Sequence, residues 1–248
     1  MNIDTDGLDP QAAYKLLIGS IIPRPIAWVS TQSEEGVPNL APISFFTVVS
    51  RKPPKLSLTL QPKADGVTLK DTFANIRDTG EFVVHTATFP QIDALHRSAV
   101  EFEPDVDEFD AVGVEKEASA VVRPPRIKGA PIAFECVVDR IFTSPEGLGN
   151  VVWGRAVNIY VRDDLYLSRG RIDTSALQAV GRLAAEYTLV SNAFIPPLDG
   201  TVTARHTGRH IVRLDGQDPE YSPVDTAAWS PSGSVIEEPG ERPAQAGQ

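Results

Sequence analysis

A single cysteine, Cys136, and four histidines, His85, His96, His206 and His210, leave little from which to build a disulfide framework or a thiolate metal site. The histidines form no His-Glu-x-x-His pattern and no carboxylate spacing points to a metal, so no metal is expected. Cys136 lies among Phe134, Glu135, Val137 and Val138 in a strand-like run, which favours a buried structural thiol over a nucleophile. Long apolar runs are missing, so no membrane span is expected. Residues 1–6 lack a basic region followed by an apolar run, so a secretory signal is not expected and a cytoplasmic location is. Gly147 and Gly149 have no third glycine to complete a dinucleotide fingerprint, and no strand-Gly-rich-Lys phosphate loop occurs. No serine sits in a Gly-x-Ser-x-Gly elbow. Positive charge is also in deficit: the formal net charge of −10 gives no global attraction to nucleic acid or anionic lipid, so neither is expected as a partner. An anionic ligand would have to be held by local donors.

What the sequence does contain is enough apolar residue, 42% of 248, to bury one substantial core. A short helix is expected from Asp9 as N-cap and Pro10 at the first helical position, ending at Gly19-Ser20. Strands follow at 25–30, 39–49 and 55–60, the last alternating strictly in polarity from Lys55 to Leu60. Thr68-Leu69-Lys70-Asp71 has a capping-box pattern, which predicts a helix from Thr68 to Gly80 with Lys70 in its first turn. A buried strand at 81–86, a helix at 90–99, long strands at 132–143 and 150–161, a short helix at 173–179 and an extended segment at 187–193 complete the reading. The acidic run from Glu101 to Asp110 lacks calcium-loop spacing and reads as a solvated loop. Strands outnumber helices without βαβ alternation, so the fold class is mainly β with peripheral helices. Residues 1–198 form the expected domain. From 199 to 248, Gly, Pro, Ser and Thr dominate, and this is read as a mobile C-terminal extension with one basic island at 205–213.

Three polar clusters, each at the end of an expected element, fall within residues 21–75. They are Pro23-Arg24-Pro25-Ile26-Ala27-Trp28-Val29-Ser30-Thr31, then Asn39-Leu40-Ala41-Pro42-Ile43-Ser44-Phe45-Phe46, then Lys70-Asp71-Thr72 with Asn75. With Pro53-Pro54, residues 132–138, Trp153-Gly154-Arg155-Ala156-Val157 and residues 180–187, they occur in an order that resembles the flavin reductase-like family, which includes flavoredoxin and reductase components of two-component monooxygenases. The resemblance spans roughly residues 14–197. It implies an FMN-binding split β-barrel, a homodimer, FMN as cofactor with FAD not excluded, and hydride transfer from NADH or NADPH to the flavin. It also implies a possible monooxygenase component as partner. The alternative within the family is a tight FMN electron carrier without nicotinamide turnover.

FMN asks for different neighbours at its phosphate, its ribityl chain and its ring. Lysine in the first turn of a helix opposes the macrodipole unless an anion sits there. Lys70, Asp71 and Thr72 with free backbone N–H groups are therefore the expected phosphate end, with Ser44, Ser50 and Arg51 adding donors. Without the resemblance, Lys70 reads as a surface lysine. Trp28, Phe45 and Phe46 are either an apolar bed for the ring or ordinary core. Ser30, Thr31, Asn39 and the backbone at Ala41 are the expected polar contacts, and Asn75 either bonds the ligand or faces solvent. Arg24, fixed between prolines, is assigned to the ligand or a subunit interface. His85 is either near the nicotinamide or a satisfied core histidine, and Arg182 lies near the active face or pairs with Glu186 on a helix. No catalytic dyad is expected, because the flavin itself carries the chemistry.

Overall fold

The computed structural model describes residues 2–144, 149–167 and 170–191. The expected extension at 199–248 and its basic island lie outside the described residues. The elements run α1 Pro10–Ser20, β1 Arg24–Pro25, β2 Ala27–Gln32, β3 Pro38–Ile43, β4 Phe46–Arg51, β5 Pro54–Leu60, α2 Asp71–Thr79 and β6 Glu81–Thr86. They continue with α3 Ile92–Arg97, α4 Glu108–Val112, β7 Lys116–Glu117, β8 Arg126–Ile127, β9 Ile132–Thr143 and β10 Asn150–Val161. Short pieces close the described chain: β11 Tyr166–Leu167, β12 Arg171–Ile172, α5 Thr174–Leu177, β13 Val180–Arg182 and β14 Tyr187–Leu189.

Seven strands form one antiparallel sheet in the order β3-β2-β6-β9-β10-β5-β4, and β1, β13 and β14 form a second, smaller one. Mainly β with peripheral helices is thus the fold observed. Strand β5 alternates as its sequence demands, with Leu56, Leu58 and Leu60 turned into the core. Strand β2 does not alternate, because it is buried on both faces. Its Ala27 and Val29 join Leu58, Phe73, Ile76, Phe82 and Val152 in one cluster, while Trp28 joins Leu40, Leu95, Phe109 and Ile127 in another. Residues 26–29 accordingly read as an unbroken apolar run, and the polar Ser30 and Thr31 that follow are buried as well. Helix α2 packs Phe73 and Ile76 onto the first cluster. Gly154 of β10 lets the buried Phe82 ring approach the backbone: a Cβ there would lie 2.2 Å from Phe82 Cζ.

Four expectations about elements are corrected. The extended segment at 39–49 is two strands, broken at Ser44 and Phe45. Helix α2 begins at Asp71, because the Thr68 hydroxyl and N–H both turn back onto Asp65, so Lys70 is the N-cap rather than a first-turn residue. The acidic run is not all solvated loop, since residues 108–112 are helical and Glu108 and Phe109 are buried. Arg182 and Glu186 are not on a helix: Val180–Arg182 and Tyr187–Leu189 pair as an antiparallel hairpin.

Candidate functional site

The end of β3, the start of α2 and the start of α4 meet around a cavity of about 170 Å³. Asn39, Ala41, Lys63, Lys70, Asp71 and Thr72 line it together with residues 98–102 and Glu108. Antiparallel pairing of β2 with β3 sets Thr31 opposite Asn39, which fixes the first polar contact. The Thr31 and Thr72 hydroxyls both donate to Asn39 Oδ1, at 3.2 and 2.9 Å, and Asn75 Nδ2 donates to Thr31 Oγ1 at 3.0 Å. Asn39 Nδ2 in turn donates to Glu108 Oε1 at 2.6 Å, and the Leu40 N–H donates to Glu108 Oε2 at 2.8 Å. Five of the expected site residues, Asn39, Ala41, Lys70, Asp71 and Thr72, thus line one cavity, and Thr31 and Asn75 stand directly behind it.

The rim carries charge. Lys63 pairs with Asp71 at 2.9 Å, and the hydrogen bond it donates to that carboxylate raises the lysine pKa. The first intrahelical bonds of α2 run from Phe73 N and Ala74 N to the Lys70 carbonyl, so the Asp71 and Thr72 N–H groups precede them at the helix's positive end. Two lysines beside such a helix start are a donor set suited to a phosphate. Lys63, Lys70 and these N–H groups fit the phosphorylated end of a flavin mononucleotide, while Asp71, Glu101 and Glu108 on the same wall oppose an anion. Burial pushes the Glu108 carboxyl up to about 7; the Leu40 N–H pulls it back, Asp71 adds to the rise, and Asn39 and Lys63 oppose it.

Other expected residues fall elsewhere. Trp28 is fully buried and donates its indole N–H to Ser98 Oγ at 2.9 Å, so it is core and not a bed for a ring. Ser30 is fully buried and donates to the Pro125 carbonyl at 2.6 Å. His85 has no exposed surface, and burial drives its pKa down to about 4, leaving the ring neutral. Its Nε2 accepts the Ile127 N–H at 3.0 Å, so Nδ1 holds the proton and donates to the Trp28 carbonyl at 2.9 Å. Neither nitrogen is left for a nicotinamide. Arg24 is buried and donates to the carbonyls of Ile18, Ile21 and Leu183 and to Ser44 Oγ, so it clamps α1 and the β13–β14 hairpin rather than reaching a ligand.

Ser44, Phe45, Phe46, Ser50 and Arg51 do not line the cavity: they lie on the β3–β4 connection and on β4, which is at the opposite end of the strand order from β3. Phe45 packs against Tyr14 with ring centroids 6.3 Å apart, Phe46 packs on the barrel core, and Ser50 accepts from the Lys52 N–H. Arg51 is exposed. Arg182 lies over the Tyr187 ring at 4.5 Å, and the Tyr187 hydroxyl meets His96 Nδ1 at 3.1 Å. Cys136 is buried, its thiol pushed up to about 12 by burial, in keeping with a structural role. Glu108, Lys63 and Glu101 are lining residues that the sequence reading did not single out. Among the described residues there is no cluster of metal ligands, and no helix is long and apolar enough to cross a membrane.

Comparison with known proteins agrees with this architecture. Residues 18–175 match the family model described as a flavin reductase like domain. An uncharacterized protein of Aquifex aeolicus is 38% identical over 74% of this chain and 91% of its own length. Nitrilotriacetate monooxygenase component B from Bacillus cereus superposes with a TM-score of 0.74 at 34% identity, covering 79% of this chain and 98% of that one. A putative flavin reductase with a split barrel domain from Shewanella frigidimarina shares the fold, with a TM-score of 0.69 at 19% identity over 80% of this chain and 100% of that one. The seven-stranded antiparallel sheet is therefore a split β-barrel, and the chain belongs to the flavin reductase-like domain family.

Proposed function

We propose that this protein is an FMN-dependent oxidoreductase, a flavin reductase driven by NADH or NADPH, whose phosphate subsite is the cavity between β3, α2 and α4. The observation that carries the reading is the convergence of Lys63, Lys70 and the α2 start on the same cavity that Asn39 and Thr72 line. In that role Lys70 and Lys63 contact the phosphate, while Asn39, hydrogen-bonded to Thr31, Thr72 and Glu108, organises the wall. The chemistry supplied by bound FMN is hydride uptake at N5 from the nicotinamide and delivery to an acceptor. The cavity is smaller than sites that enclose a whole cofactor, about 300 Å³ upward. Ala41 and the residues that follow it would hold the rest of the flavin, and a second subunit would complete the site. Support for a homodimer comes from α1, which buries none of its residues and exposes Leu16 and Leu17, and from exposed Val48 on edge strand β4. FMN rather than FAD, cytoplasmic residence, a monooxygenase component as partner and a separate extension from 199 onward belong to the same proposal.

Absorbance of the purified chain, followed by NADH and NADPH oxidation with added FMN, tests it. The expected result is nicotinamide oxidation that depends on FMN. A yellow protein that oxidises neither nicotinamide would be the tight electron carrier. A colourless protein that ignores added FMN would contradict the flavin reading.

A further inference from the structure

Family membership gives Glu108 no role, yet it is buried against the one amide that organises the cavity wall. Resting on the reading of this cavity as the flavin phosphate subsite, we propose that Glu108 is a positioning residue. Through Asn39 it sets whether the wall offers lone pairs or protons to an anionic ligand. A carboxylate has only lone pairs to give, so ionised Glu108 requires Asn39 to turn Nδ2 toward it and Oδ1 toward the threonines. The Thr31 and Thr72 hydroxyls then both donate to Oδ1. Thr72 is left presenting lone pairs to the cavity it lines, the wrong polarity for a phosphate, which has only lone pairs to offer when fully ionised.

Charge points the same way. The ionisable lining residues are Lys63 and Lys70 against Asp71, Glu101 and Glu108, two positive and three negative, so the wall is net negative while Glu108 is ionised. These groups face Glu108 from α2, from the segment between β5 and α2, and from the segment after α3. On its own helix, the N-cap Asp107 is engaged by Lys116. When Glu108 takes up a proton, its O–H donates to Asn39 Oδ1, the amide turns over, and Asn39 Nδ2 donates to Thr72. The Thr72 proton is then free for the phosphate, and the wall becomes neutral. Burial beside the cavity places this proton uptake near neutral pH.

Fluorescence titration of the full chain with FMN and with riboflavin, from about pH 8 to about pH 6.5, tests the proposal in the wild type and in Glu108→Gln. In the variant, the amide oxygen stays on the Leu40 N–H and the amide nitrogen faces Asn39, which fixes the protonated-like polarity at every pH. Wild-type FMN affinity is expected to rise about fivefold on acidification across that range. The phosphate's own second ionisation, near about pH 6, pulls the other way. Glu108→Gln is expected to bind FMN about fivefold tighter than the wild type at about pH 8 with little pH dependence, and riboflavin to change less than about twofold. Wild-type affinity that is flat or falls on acidification would overturn the proposal, whether or not the variant folds. So would a variant that binds FMN more weakly than the wild type, or a riboflavin rise equal to that of FMN. Absence of FMN binding to the wild type at every pH would instead overturn the flavin reading on which the proposal rests.

Discussion

Glu135 and Glu108 are both buried, yet they occupy opposite electrostatic situations. Glu135, on β9, accepts the N–H groups of Ala120 and Val121 at 2.9 and 2.7 Å and the Asn158 amide at 3.1 Å. Burial alone would raise its pKa, but these donors outweigh it and hold the carboxyl below its ordinary value. Glu108 accepts only from Asn39 and Leu40, has Asp71 nearby, and lines a cavity. There burial wins, and the carboxyl titrates near neutrality. The same side chain is scaffold where the fold saturates its oxygens and becomes responsive where a cavity leaves it short of donors.

The largest effect that would break this contrast is on stability. Glu135→Ala strands the Ala120 and Val121 N–H groups and the Asn158 amide, at a cost of about 3 kcal/mol or more in chemical denaturation. A loss under about 1 kcal/mol would mean that water replaces the carboxylate and that Glu135 is not scaffold.

Next comes the pH dependence of stability, where the two residues have opposite signs. The folded-state pKa of Glu108 is raised from 4.5 to about 7, so the native state holds the extra proton between those values. Stability is therefore lost as pH rises through that window, by at most about 3 kcal/mol. Glu135, depressed in the fold, contributes stability that is present above its unfolded value of 4.5 and lost as pH falls through its lower folded value. Denaturation midpoints of the wild type and Glu108→Gln across this range should differ in slope, the variant being flatter between about pH 5 and 7.

Smaller effects sharpen the boundary between site and scaffold. Asn39→Ala should weaken FMN binding about tenfold, and Thr31→Ala about threefold, because Asn39 organises the wall and Thr31 only supports it. Lys70→Ala should weaken FMN about threefold at low salt and less at high salt, leaving riboflavin unchanged, as expected of a screened contact with phosphate. Trp28→Phe removes the bond to Ser98 and should cost about 1 kcal/mol of stability while leaving FMN affinity within about twofold. A tenfold affinity loss for Trp28→Phe would move the flavin ring into the core and contradict the arrangement.

Much of the fold was legible because its strands obey simple periods. The alternation from Lys55 to Leu60, the Asp9-Pro10 helix start and the Gly80 helix end all appear where the residues place them. The cavity's two most recognisable pieces, Asn39 with Ala41 and Lys70 with Thr72, were legible as strand-end and helix-start clusters. Trp28 was ambiguous because a strand buried on both faces has no polarity period to say which way a side chain points. Ser30 on the same strand and His85 on the equally buried β6 share this ambiguity, and only their tertiary partners, the Pro125 carbonyl and the Ile127 N–H, show that they are engaged. Glu108 was hidden by its neighbours, since five other acids in the run suggest solvent. The missed signal was Asp107 as N-cap, Phe109 and Val112 three apart, and Gly113 with its positive φ of 75°, which together mark a one-turn helix with a buried face. Lys63 and Glu101 come together with it only through tertiary packing.

The most direct test of the central claim is an FMN titration of the wild type beside the Lys63→Ala/Lys70→Ala double variant, followed by flavin fluorescence. The account predicts saturable binding by the wild type and a loss of about tenfold or more in the variant, with riboflavin affinity nearly unaffected. Equal FMN affinity in the two proteins would contradict the placement of the phosphate at this cavity.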